Sequence, residues 1–174
     1  MKKLPKTITQ EEFEILFKAA KNDKRKDKKQ MMLAILLGFE AGMRISEIVG
    51  LENRIEPLQK YQIEGSSIRV NQGKGKKDRI VPRPKRMNEP ATNLLPLKIK
   101  RRTLQRYIQK LGLIHLKKKI SFHTLRHGFG SHLAGSGRPL HEIQMLMGHS
   151  RLDTTGIYLH ANPKVAIDSA RDVF

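Results

Sequence analysis

The chain has 174 residues, enough for one domain with a core that folds without staples, and it contains no cysteine. That excludes disulfide frameworks, zinc–thiolate sites and thiol nucleophiles, leaving only His, Asp and Glu as metal ligands. Lys and Arg number 35 against 16 Asp and Glu, a net charge of +19, and a domain this basic relieves its self-repulsion best against a polyanion such as nucleic acid.

Met1-Lys2-Lys3 leads straight into a polar helix start, with nothing resembling a signal peptide. Thr9-Gln10-Glu11-Glu12 reads as a capping box, with Ile8 and Phe13 placed for a hydrophobic staple. Phe13, Leu16, Phe17 and Ala20 then recur at helical spacing and predict a first amphipathic helix. Lys21 to Lys29 is a lysine- and arginine-dense turn, open to solvent or to a DNA contact. Gln30 to Ala41 predicts a central apolar helix, interrupted by Gly42. Its longest apolar run, Met31 to Phe39, falls far short of the roughly 20 residues that span a bilayer. A soluble, cytoplasmic, DNA-associated protein is the expectation. An anionic membrane surface is the rival partner, without a basic amphipathic helix and aromatic anchors to support it.

Arg44 to Leu51 resumes a short helical pattern. Ile68 and Val70 alternate with Arg69 and Asn71, and Ile80 and Val81 follow the turn Gln72 to Asp78, with Pro82 ending the second strand. These predict a small antiparallel hairpin with a lysine-loaded tip. Pro82 to Pro96 holds four prolines and no helical period, and reads as an irregular connection without a helix. Lys98 to Leu111 predicts a basic helix with Leu104, Ile108 and Leu111 inward. Ser121 caps another helix running to about Ala134, ended by Gly135-Ser136-Gly137. Pro139 sits in the first turn of the next, with Leu140, Ile143 and Met147 as its apolar face and Gly148 as its stop. Ser150-Arg151-Leu152-Asp153 is a further capping box, starting a helix that carries Tyr158, and a last helix spans Lys164 to Val173. The fold expected is mainly α with one small antiparallel β-sheet.

The chemistry-bearing residues gather around phosphate recognition. His123 and Arg126 lie three apart at a helix N-terminus, where unpaired N–H groups and the positive end of the macrodipole favour an anion. An arginine fork there can clamp two phosphate oxygens, although a capped helix with a surface His and Arg is an ordinary structural feature. Arg44 and Glu47 are also three apart, either a local ion pair of small value or an arginine held rigid for a phosphate. Gly73-Lys74-Gly75-Lys76-Lys77-Asp78-Arg79 is either a bare hairpin tip or a mobile lysine that delivers a proton; it lacks Walker spacing. His149 alone reads as a helix C-terminal residue, and Tyr158 alone as a half-buried core ring. The histidines mostly sit beside basic residues, which argues against a metal site.

Taken together these elements resemble the phage-integrase family of tyrosine recombinases, and in particular its Xer-type catalytic domains. The strings that carry the resemblance are AGMRISEIVGL, GKGKKDRIVP, SFHTLRHGFGSHLAGSG and LHEIQMLMGHSRLDTTGIYLH. The resemblance implies a tyrosine-recombinase catalytic-domain architecture over residues 1–174 and a site-specific DNA recombinase or integrase. Tyr158 would attack the scissile phosphate to give a 3′-phosphotyrosyl link and a free 5′-hydroxyl, and a second strand's 5′-hydroxyl would reverse the attack, without metal, ATP or other cofactor. Arg44 and Arg126 would hold the non-bridging oxygens and Lys74 would protonate the leaving 5′-oxygen, with Lys76 or Lys77 as alternatives. His123 would assist proton transfer from the tyrosine, His149 would hydrogen-bond the phosphate, and Glu47 would orient the His and Arg side chains. The chemistry fits these types: a phenol of pKa about 10 needs a base and a positive field, and an alkoxide leaving group needs an acid.

The family normally carries a helical core-binding domain ahead of the catalytic one, and this sequence begins where the catalytic domain usually begins. An excised domain or a minimal recombinase is expected, with weak, poorly selective DNA binding. Double-stranded DNA is the implied partner, with a tetrameric synapse upon it and no membrane. Val165, Ala166, Ile167, Ala170 and Val173 offer an apolar face that docks on a neighbouring protomer or packs on its own domain. The alternatives are a type IB topoisomerase-like activity with the same residue set, a catalytically silent DNA-binding fragment and, more distantly, a basic ribosomal-type structural protein.

Overall fold

The computed structural model describes residues 7–71 and 78–148; Lys74, His149, Tyr158 and the two helices expected after Ser150 lie outside them. Seven α-helices and a three-stranded sheet make up the described residues. Helix α1 (Gln10–Lys21) starts where the capping box predicts: the Thr9 hydroxyl accepts from Glu12 N–H at 3.3 Å, and the Glu12 carboxylate accepts from Thr9 N–H at 3.2 Å. Ile8 and Phe13 are both buried, as the staple requires. Helix α2 (Lys28–Glu40) begins two residues earlier than its apolar pattern and is buried almost all round, as a central helix must be. The Phe13 ring stacks on Phe39 with centroids 4.2 Å apart.

Gly42 lets the chain turn sharply after α2. Its φ is +61°, and a Cβ there would fall 2.4 Å from Phe129 Cδ1, so a side chain meets both backbone strain and a ring. The turn delivers Arg44 to the N-terminus of α3 (Ile45–Val49). A 3₁₀ turn, Lys60–Gln62, then precedes the sheet.

Strands β1 (Ile63–Glu64), β2 (Ser67–Val70) and β3 (Arg79–Pro82) pair antiparallel in the order β1-β2-β3. The hairpin forms as expected, with Ile68 opposite Val81 and Val70 opposite Arg79. Strand β1 is an addition: two residues are too few to show alternation, and it reaches β2 through the two-residue turn Gly65-Ser66. The pleat also decides which residues of the second strand face the core. Ile80 points outward at 59 % exposure, while Val81 and Arg79 point inward.

The proline-rich connection is not helix-free. Helix α4 (Glu89–Thr92) forms one turn because Asn88 caps it, accepting from Ala91 N–H at 3.1 Å. Pro90 falls in the first turn, where a missing N–H costs nothing. Helix α5 (Arg101–Leu111) starts three residues later than expected and buries Leu104, Tyr107, Ile108 and Leu111. A π turn, Gly112–Leu116, extends it. Helices α6 (Phe122–Gly135) and α7 (Leu140–Met147) follow the sequence signals, with Ser121 capping the first and left-handed Gly148 closing the second. One large apolar core joins α1, α2, α3, α5, the sheet and the first turns of α6. A second, small cluster joins α6 to α7 through Phe129, Ala134, Ile143 and Met147. No helix among the described residues is long and apolar enough to cross a membrane.

Candidate active site

Four of the seven residues singled out from sequence lie in the described structure, and they converge. Arg44 is the N-cap residue of α3, and Glu47, three residues on, accepts from Arg44 N–H at 2.7 Å and from Arg44 Nη1 at 2.8 Å. The backbone bond satisfies one orphan donor of the helix start. The side-chain bond holds a guanidinium that is itself one-third exposed.

The Glu47 carboxylate is buried and has a second partner that sequence reading missed. Arg79, at the start of β3, donates from Nη1 and Nη2 to its two oxygens at 2.7 and 2.9 Å. Its Nε donates to the Leu146 carbonyl at 2.8 Å. Burial pushes the Glu47 carboxyl up, but the Arg79 fork and the Arg44 amide and guanidinium outweigh it and hold the pKa at about 2. The Glu47 carboxylate thus bonds two arginines, Arg44, which the sequence pairs with it, and Arg79, which was unforeseen. The signal for Arg79 was the two-residue period, which puts it on the same face as buried Val81.

Helix α6 supplies the other side. The Ser121 hydroxyl accepts from Thr124 N–H at 3.2 Å, so the helix start is fixed and His123 lies in its first turn. Arg126, one turn further, is buried and donates to the carbonyls of Gly42 and Met147. The Gly42 turn that aims Arg44 thus also anchors Arg126. His123 is exposed to solvent, yet partial desolvation, then the Arg126 and Arg44 cations, push its pKa below the ordinary histidine value. His127 meets His123 edge to face with centroids 4.2 Å apart. Burial, then His123 and Arg126, push its pKa down to about 4. Both imidazoles are neutral at pH 7, which leaves His123 able to accept a proton.

The assembly is strongly cationic: Arg44 from α3 and Arg79 from β3 share one carboxylate, and Arg126 from α6 ties the Gly42 turn to the end of α7, one turn from His123. Such a site stabilises charge developing on a bound anion. Among the described residues no group of three or more His, Asp or Glu is placed to hold a metal ion.

The profile of the phage integrase family matches residues 6–98 and 93–164. A tyrosine recombinase from Pseudothermotoga lettingae is 33 % identical over 159 residues, covering 83 % of this chain and 54 % of that protein. The chain spans 54–62 % of the length of the curated relatives it matches. Among solved structures, the XerH site-specific recombinase bound to palindromic difH substrate superposes with a TM-score of 0.75 at 22 % identity, covering 98 % of this chain and 54 % of that one. The catalytic domain of bacteriophage HP1 integrase superposes with a TM-score of 0.62 at 22 % identity, covering 88 % of this chain and 86 % of that one. The fold is that of tyrosine-recombinase catalytic domains.

Proposed function

The chain belongs to the phage integrase family, and from that premise we propose that it is the catalytic domain of a site-specific DNA recombinase. The observation that carries the proposal is a tie between segments 84 residues apart: Arg126, three residues after His123 on α6, donates to the carbonyl of Gly42, two residues before Arg44. Two arginine forks and a neutral imidazole suit a phosphodiester passing through a pentacoordinate transition state.

In this reading the Tyr158 phenol loses its proton to the neutral His123 and attacks phosphorus. The Tyr–O–P bond forms as the P–O5′ bond breaks, and Lys74 protonates the departing 5′-oxygen, with Lys76 and Lys77 as its possible substitutes. Arg44 and Arg126 hold the non-bridging oxygens, His149 donates to one of them, and Glu47 keeps Arg44 in place. The 5′-hydroxyl of a second strand then reverses the reaction, so that the phosphotyrosyl bond conserves the energy of the broken linkage. The substrate is duplex DNA, in accord with the +19 charge. Exchange takes place in a tetrameric synapse, in which the segment 164–174 docks on a neighbouring protomer. The roles of Lys74, His149 and Tyr158 rest on their motifs.

The test is a randomised library of nicked duplexes incubated with the full chain and resolved under denaturing conditions. A covalent protein–DNA adduct is expected, abolished in Tyr158→Phe while DNA affinity stays within about threefold of wild type. DNA binding without adduct in the wild type overturns the enzyme reading in favour of a silent DNA-binding fragment. An adduct that relaxes supercoiled plasmid without exchanging strands points instead to topoisomerase-like activity.

A further inference from the structure

Arg79 has no part in the chemistry above, yet its side chain is only 4 % exposed and is directed at both flanks of the site. Apolar residues at both Arg79 and Glu47 would fill the core without desolvating two charges, and such replacement of a whole buried ion pair often leaves stability unharmed, whereas removing Arg79 alone leaves the Glu47 carboxylate short of a partner. Packing alone therefore does not call for an ion pair here. What a guanidinium supplies is geometry. Its fork takes both Glu47 oxygens, whose remaining bonds fix Arg44, while its Nε takes the Leu146 carbonyl.

The α7 end of this arrangement has a second feature. Leu146 and Met147 are consecutive, and their carbonyls belong to the last turn of α7, which lacks intrahelical donors and carries the negative end of the dipole. Arg79 donates to the first and Arg126 to the second. Two buried guanidiniums from different elements thus hold the end of the helix that leads through Gly148 to His149.

We propose that Arg79 is a positioning residue for DNA strand cleavage: through Glu47 it sets the Arg44 guanidinium, and through Leu146 it fixes the exit of α7. The proposal rests on the recombinase reading. It makes Arg79 a tie between the phosphate-binding arginines and the segment on which His149 follows, with no contact to DNA itself. A lysine cannot replace it, because one ammonium cannot span both carboxylate oxygens and the Leu146 carbonyl with planar geometry.

The experiment compares wild type, Arg79→Met and Arg79→Lys as full chains on the nicked-duplex library, measuring adduct rate at saturating DNA, DNA affinity, Tm and amide hydrogen exchange across residues 140–148. Arg79→Met is expected to lower the adduct rate by about 100-fold, the scale of an ångström-level misplacement. Affinity should stay within about threefold, because the scissile phosphate is one of many phosphates that a chain of this charge contacts. Arg79→Lys should recover little of the rate, and both variants should exchange faster over the last turn of α7. The losses of Arg79→Met and Glu47→Gln should not add in the double variant. The proposal is overturned if Arg79→Met cleaves at the wild-type rate, or if cooling by its Tm deficit restores that rate. If wild type itself gives no adduct, the recombinase reading falls, and unchanged exchange over α7 in Arg79→Lys would sink the positioning role independently.

Discussion

The two flanks of the site are built on different physics. On the α3 flank, Arg44 and Glu47 stand on a helix whose Ile48 is sealed into the main core together with α2, α5 and the sheet. On the α7 flank, the described apolar contacts are a handful, centred on Ile143 and Met147 against Phe129 and Ala134. The first flank is placed by area removed from water, which is strong but undirected. The second is placed by directed bonds from Arg79 and Arg126 to backbone carbonyls. A small cluster with strong polar ties holds position without adding much to global stability, which suits a segment that leads, in the proposed reading, to His149 and Tyr158.

The comparison breaks most visibly under cavity mutations. Ile35 and Ile143 are both fully buried, so each truncation to Ala removes similar apolar volume, worth about 2–5 kcal/mol where the surroundings cannot relax. Ile35→Ala should lower the global Tm by roughly 5–15 °C for a domain of this size. Ile143→Ala should lower it by clearly less and instead raise hydrogen exchange across α7, because its cluster opens locally. Equal Tm losses and unchanged local exchange for Ile143→Ala would mean that α7 belongs to the same cooperative unit as the core.

This division also explains what could be seen in the sequence. Helix α6 was legible because its cap, its period and its His123–Arg126 pair lie within a few residues of one another. The same holds for the Thr9 box of α1 and for the Gly42–Arg44 turn. Strand β1 was not, since its two residues show no period, and α4 was hidden because prolines read as breakers even where Pro90 sits in a first turn. Arg79 escaped for a deeper reason. Its partners are 32 and 67 positions away, and an inward arginine in a short strand looks like a surface residue until the opposing carboxylate and carbonyl are in place.

A smaller effect, set by pH, sharpens the tie between the flanks. Glu47 has its folded pKa held near 2 against an ordinary 4.5. Its contribution is therefore fully present above pH 4.5 and lost as the pH falls toward 2, a window on the order of 3 kcal/mol. His127, pushed from 6.5 to about 4, stays neutral while the unfolded chain takes up a proton, so stability also declines from pH 6.5 toward 4. Urea unfolding at stepped pH should show both slopes. His127→Phe should flatten the upper one and Glu47→Gln the lower one. An unchanged lower slope in Glu47→Gln would show that Glu47 is not the group held ionised, and the paired-arginine account of this flank would fail.

The smallest expected effect comes from an arginine that superficially resembles Arg79. Arg86 bonds two carboxylates, Glu14 and Glu40, and lies over the rings of Phe13 and Phe17 at 5.3 and 4.7 Å. It lies on the main-core side, however, with its side chain 36 % exposed, so solvent and salt screen most of what its charge contributes. Arg86→Gln should cost about 1 kcal/mol in stability at low salt, shrink toward zero as salt rises, and leave cleavage unchanged. Arg79→Met should behave in the opposite way, with an effect on cleavage that salt does not erase at saturating DNA, because Arg79 and the Glu47 carboxylate it holds are both buried. The number of bonds an arginine makes is nearly the same in the two cases. What separates them is whether the atoms it holds are already fixed by the core, as on α1 and α2, or depend on the guanidinium for their position, as on α7.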